Sequence, residues 1–279
     1  EDGFDHDAGL SEALNESPGL GRIPLVDFPK GSRPGTFFHE LLEHLDFQRV
    51  WQPETLHLVQ RTMDRFGIDR SFAGVVRKTL AATVETSLAD GLRLFVVGRK
   101  QRLDEMEFHI PVSGAPQPLS PDKLAAVFKE HQSSAVEPSY PDHLKHLGFR
   151  KMEGYLKGFI DLIFEHQGRY YVVDYKSNHL GDDYDAYQRE RLKPAMAHGD
   201  YYLQYHLYLL ALHRMLSLRK RHYDCDKHIG GVYYLFIKGM EPRRGPANGV
   251  FYDRPSKAMI NALSELFTDA NATSRNLSP

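Results

Sequence analysis

Two aspartates and a lysine define the chemistry this chain could do. They lie in the stretch 158–178, GFIDLIFEHQGRYYVVDYKSN, with Asp161 in its first half and Asp174 and Lys176 in its second. Two runs rich in aromatic and branched side chains flank the polar break Glu165-His166-Gln167-Gly168-Arg169, which is the pattern of a β-hairpin. With Gln167-Gly168 as a two-residue loop, His166 faces Arg169, and counting outwards sets Asp161 directly opposite Asp174, both pointing to one face. Side chains alternate along a strand, so Lys176 shares the face of Asp174 while Tyr175 points away. Two carboxylates facing each other across a strand pair repel, and partial burial adds a desolvation cost. A divalent cation would remove that cost. Mg²⁺ takes one or two carboxylates and keeps its other positions for waters and phosphate oxygens. Lys176, a flexible point charge beside it, could hold a phosphate or position a water. An ordinary hairpin with acids on a wet face has the same local pattern, so the rest of the chain decides between the two.

The elements that must position these groups are legible in part. A helix is expected from about Thr36, a candidate N-cap, through FFHELLEHLDF, with Phe37, Leu41, Leu42 and Leu45 on its apolar face. His39, in the motif Gly35-Thr36-x-x-His39, sits in its first turns near the apolar boundary and could be aimed inward as a metal ligand. Amphipathic runs at 54–66 and 73–89 predict a helical layer. LRLFVV (92–97) reads as a strand, GRKQRLDE as a connection and MEFHIPV (106–112) as the neighbouring strand, from which Glu107 and His109 would project together. Glu107 is a candidate further ligand if it lies beside Asp174. DKLAAVFKEHQ reads as a helix with Ser120 or Asp122 as its cap, and the stretch up to the hairpin as loop and short helix. Beyond the hairpin, HLGDDYDAYQRERL is a charged crossing that turns helical and carries Arg189, Arg191 and, just past it, Lys193.

The longest expected helix is 200–219, where Gln204 and Tyr208 stand at i and i+4 on one face and could hydrogen-bond phosphates or orient the lysine. HIGGVYYLFIKGM (228–240) is a strongly apolar strand, suited to a buried place after a crossover, and RPSKAMINALSELFTDA is a final amphipathic helix. The expected architecture is α/β, a mixed central sheet containing two hairpins and flanked by helices, with the site at one end of the sheet.

Composition narrows the class. The 279 residues are 41% hydrophobic, ordinary for a globular chain, and no apolar run approaches the length of a membrane span. The single cysteine, Cys225, excludes a disulfide framework and any cysteine-ligated zinc or iron–sulfur site, and fits a reducing cytoplasm. Net charge is −2, but residues 1–18 hold six acids and no Lys or Arg; removing those six from 37 acids leaves 31 against 35 basic residues. A weakly basic body on an acidic tether is expected. Residues 1–30, acidic and then rich in Gly and Pro, read as a linker, 31–270 as the folded domain, and 271–279 as a frayed tail. The first residue is Glu1 rather than Met, which suggests a fragment of a longer protein.

Gly-x-x-Asp, a hairpin turn and then Asp-x-Lys resembles the PD-(D/E)xK nuclease motif. His39, Glu107, Asp161, Asp174-Tyr175-Lys176 and Gln204-x-x-x-Tyr208 occur in an order that resembles the C-terminal nuclease domains of the RecB family, over roughly residues 30–270. The resemblance implies a restriction-endonuclease-like core and a Mg²⁺ ion held by His39, Asp161, Asp174 and the main-chain carbonyl of Tyr175, with Lys176 catalytic. It further implies a deoxyribonuclease of the exodeoxyribonuclease V type, with endonuclease activity on single-stranded DNA. By the same resemblance the domain works in recombinational repair of double-strand breaks and degradation of linear DNA, with RecC and RecD subunits and RecA as partners. No G-x-x-x-x-G-K-[ST] sequence is present, so a helicase motor would belong to another part of the parent protein. Two other readings share the pattern: a noncatalytic nuclease-like module that docks or guides DNA, and a free-standing restriction or repair endonuclease.

Overall fold

The computed structural model describes residues 21–88, 91–111, 119–146 and 155–267. In chain order these form α1 (Ser32–His44), α2 (Pro53–Phe66), α3 (Ala73–Glu85), β1 (Arg102–Pro111), α4 (Pro121–His131) and α5 (Tyr140–Leu144). The hairpin β2 (Tyr155–His166) and β3 (Arg169–Lys176) follows, then α6 (Arg189–His198), α7 (Tyr201–Arg219), α8 (Cys225–His228), β4 (Ile229–Phe236), β5 (Val250–Asp253) and α9 (Lys257–Leu266).

The strands make one mixed sheet in the order β1-β2-β3-β4-β5, with β3 and β4 parallel and the other neighbours antiparallel. Every residue of β4 is buried, which matches a near-continuous apolar run placed inside the sheet by a helical crossover. One face packs under α4, α6, α7 and α9 through residues such as Phe128, Leu192, Leu209 and Leu263. The other packs under α1, α2 and α3 through Phe37, Phe38, Leu41, Met63, Val76 and Leu80. The hairpin loop is built as its sequence dictates. Gln167 and Gly168 both take positive φ, 51° and 79°, the requirement of a type I′ turn.

Several expectations are corrected. Residues 92–97 are not a strand: Leu94–Val96 form a 3₁₀ turn, and β1 starts only at Arg102. The sheet therefore has one tight hairpin rather than two, and β1 reaches β2 through the long connection 112–154. Helix α1 begins at Ser32, earlier than Thr36, because Pro34 is tolerated in a first turn; Thr36 is interior and its hydroxyl donates to the Ser32 carbonyl at 3.3 Å. Residues 21–30 differ from the linker expectation, since Ile23, Leu25 and Phe28 are buried in the core. Strand β5 had no counterpart in the sequence reading. Residues 1–20 and 268–279, which carry the acidic segment and the tail, lie outside the described residues.

Candidate metal-dependent active site

The site forms where both strands of the β1–β2 pair lose their alternation. On β2, Leu162 and Phe164 face α1–α3, yet Ile160 belongs to the opposite core, so the parity of the strand switches at Asp161. On β1 the same switch falls at Glu105, whose φ is +50°, between Asp104 paired with Leu162 and Met106 paired with Ile160. A positive φ is costly for a residue with a side chain. Here it turns the Glu105 carboxylate toward the register position of Asp161.

His39 arrives from α1. That helix packs close to the end of β3: a Cβ on Gly35 would stand 3.3 Å from the Ser177 hydroxyl. His39 Nδ1 lies 3.1 Å from Asp161 Oδ2, and the same oxygen accepts the Tyr175 amide at 2.8 Å. His39, Glu105 and Asp161 each place a ligand atom within 4.8 Å of the others. They open into a cleft of about 490 Å³ that Thr36, Glu40, Glu43, His44 and Arg65 also line.

Asp174 and Lys176 face the α7 side. Hydrogen-bond pairing of the hairpin ends at Leu162 and Val173, so Asp161 and Asp174 are the next residues in register, as the count predicts. The Asp161 carboxylate meets His39 of α1, while Asp174 meets Tyr208 of α7, whose hydroxyl is 3.5 Å from Oδ1, and the Asp161 charge acts on Asp174. Lys176 Nζ lies 2.6 Å from Asp174 Oδ2. The contact is off the hydrogen-bond direction, so that buried oxygen has a charge beside it but no aligned donor. The ammonium also donates to Gln204 Oε1 at 3.2 Å and sits 4.0 Å from the Tyr201 ring centre and 5.1 Å from that of Tyr234. Tyr234 donates to the same Gln204 oxygen at 2.8 Å. Gln204 Oε1 thus accepts from both Lys176 and Tyr234.

The electrostatics are those of an acid cluster awaiting positive charge. Burial pushes the Asp174 carboxyl up to about 7, with the Asp161 charge adding and Lys176 opposing. Glu105 is raised by burial and then by Asp161. Burial works to lower His39, but its hydrogen bond to Asp161 and the charges of Asp161 and Asp174 outweigh it and hold the imidazole above its usual value. Two carboxylates raised together with a buried oxygen lacking a donor fit a hard divalent cation, which oxygen ligands and one imidazole can hold.

Glu107 is not part of this group. It pairs in register with Phe159, is exposed, and is engaged by His109 at 2.7 Å and Lys157 at 3.1 Å. The acid that belongs is Glu105, together with Tyr201 and Tyr234 around the lysine. Tyr201 could have been found one turn before Gln204 on the same helix face. Arg189 and Arg191 are exposed on α6, and Lys193 pairs with Glu190.

This fold and site define a class. The chain belongs to the PD-(D/E)XK nuclease superfamily, whose sequence profile matches residues 19–276. Among its relatives is the RecBCD enzyme subunit RecB of Escherichia coli, 37% identical over 243 residues that cover 86% of this chain and 19% of that protein. The RecB of Haemophilus influenzae is 34% identical over 245 residues, covering 87% and 19%, and that of Mycobacterium tuberculosis is 36% identical over 278 residues, covering 91% and 25%. The chain thus spans about a fifth to a quarter of the length of these relatives.

Proposed function

We propose that this chain is the nuclease domain of a RecB-like helicase-nuclease, a Mg²⁺-dependent deoxyribonuclease that hydrolyses phosphodiester bonds during recombinational repair of double-strand breaks and degradation of linear DNA. The observation that carries this reading is the convergence of His39, Glu105 and Asp161 beside the buried Asp174–Lys176 pair. Mg²⁺ would be held by His39, Glu105, Asp161 and Asp174, with the Tyr175 carbonyl as a further ligand. When bound, such an ion polarises a phosphoryl oxygen and lowers the pKa of a water.

The chain's own groups do the rest. Asp161 is oriented by the Tyr175 amide and His39. Lys176, held by Gln204 and bounded by two tyrosine rings, presents its ammonium where negative charge develops on the phosphate or the attacking water. Tyr208 limits the freedom of Asp174 from the α7 side. No covalent intermediate is required. The domain acts in the cytoplasm, in the manner of exodeoxyribonuclease V with endonuclease activity on single strands. Its partners are RecC and RecD subunits, and RecA where cutting gives way to recombination.

A noncatalytic docking module of the same fold makes the opposite forecast about metal. Mg²⁺ should raise the melting temperature of the chain, and Asp174→Asn should abolish that rise. A melting temperature indifferent to Mg²⁺ would favour the module.

A further inference from the structure

The β1–β2 pair runs on past the metal-binding group as a two-stranded arm. Pairing of the hairpin ends at Leu162 and Val173, while β2 stays paired to β1 as far as Tyr155 and Pro111. The back of the arm is fixed. Phe108 and Ile160 are buried in the core on the α7 side, and Phe108 lies across its register partner Gly158, where a Cβ would come within 2.6 Å of the ring. The same ring meets Tyr208 edge-on, with centres 5.6 Å apart, which ties the arm to the helix that touches Asp174.

The front of the arm is open. Side chains alternate along both strands, so Lys157, Phe159, Glu107 and His109 project opposite to Phe108 and Ile160, on the face where Asp161 meets His39, and all four are exposed. Beyond Glu105 and Asp161, Glu107 stands opposite Phe159 and His109 opposite Lys157. Phe159 is 45% exposed and belongs to neither core. A single exposed ring is ordinary on a protein surface, but this one stands two residues before Asp161 on one strand face, about 7 Å along the strand. Lys157 Nζ lies 5.2 Å from its ring centre and 3.1 Å from Glu107 Oε1, and His109 meets the same oxygen at 2.7 Å. The Glu107 charge is thus countered by its neighbours. With Lys157 on one side, the exposed remainder of the ring is a flat apolar surface on the rim of the metal-binding group.

We propose that Phe159 is a base-stacking platform, on which the base of a nucleotide flanking the scissile phosphodiester of single-stranded DNA lies, with Lys157 beside it. The inference rests on the nuclease reading above. An aromatic face accepts any base, and a base inside a duplex is already stacked and paired, so the platform favours a single strand.

The test compares two oligomers of equal length, one of ordinary single-stranded DNA and one fully abasic, which carries the same phosphates without bases. Binding to the whole chain is measured with Ca²⁺ in place of Mg²⁺. Wild type should prefer the base-bearing oligomer, and Phe159→Ala should reduce that preference about tenfold, within the range that stacking one base on an aromatic ring contributes. The slope of log affinity against log salt should not change, because no phosphate contact is removed. The ring lies outside both cores, so the alanine variant keeps the fold; Phe159→Trp keeps a stacking face and should keep the preference. An alanine variant that binds both oligomers as wild type does, or loses affinity equally for both, would overturn the platform while a wild-type chain that cuts DNA keeps the nuclease reading. A wild-type chain that binds neither oligomer and cuts no DNA would overturn both.

Discussion

Glu105 holds its place by adopting a backbone conformation that non-glycine residues rarely take, and it does so opposite Asp161. The prediction at this scale separates it from its neighbour. Glu105→Gln should weaken divalent-cation affinity by at least the roughly tenfold that loss of even an outer partner costs, while Glu107→Gln leaves it near wild type. Isothermal titration with Mn²⁺ as the probe checks both, and equal effects of the two variants would contradict the assignment. The two aspartates and Lys176 were legible because a hairpin with a two-residue loop fixes its own register from local sequence. Glu105 was not, because the register of β1 against β2 is set across a long connection and the parity of both strands breaks at the site itself. Glu105 also falls in GRKQRLDE, which reads as a polar connection, whereas β1 already runs from Arg102.

At the scale of elements, α7 joins the site to the core. Its Gln204 and Tyr208 reach Lys176 and Asp174, while His206 on another face is 1% exposed, with Nδ1 2.7 Å from the Tyr202 carbonyl and its ring stacked on Tyr205. Burial lowers His206 to about 4 from an ordinary 6.5. Above pH 6.5 the ring is neutral in both folded and unfolded chains, and its contribution is complete. Between pH 6.5 and 4 the unfolded chain takes up a proton that the folded one refuses, so stability falls as pH falls, by on the order of 3 kcal/mol. Urea unfolding at pH 7 and pH 4.5 should show His206→Leu losing markedly less stability over that interval than wild type; an identical loss would contradict it. Most helices were readable from apolar period, though not the short α8 in the polar stretch RKRHYDCDKH, and β4 was readable from its unbroken apolar run. The segment 92–97 was not, since LRLFVV has the composition of a strand and only tertiary packing, with Leu94 buried and Phe95 and Val96 exposed, makes it a 3₁₀ turn.

At the scale of the whole molecule, the sheet carries two helical layers whose ends meet at one site. His39 comes from one layer, Gln204 and Tyr208 from the other, and the acids from the strands between. Among the described residues no helix is long and apolar enough to cross a membrane. The layer assignment of His39 was legible only as a motif, because nothing local says that α1 will lie over the end of β3. The most direct measurement of the central claim is cleavage of linear and circular single-stranded DNA by the purified chain with Mg²⁺, with EDTA and Asp174→Ala as controls. Cutting of both substrates with Mg²⁺, reduced to background by EDTA and by a folded Asp174→Ala, is the predicted result. Cleavage by Asp174→Ala at near wild-type rate would contradict the account.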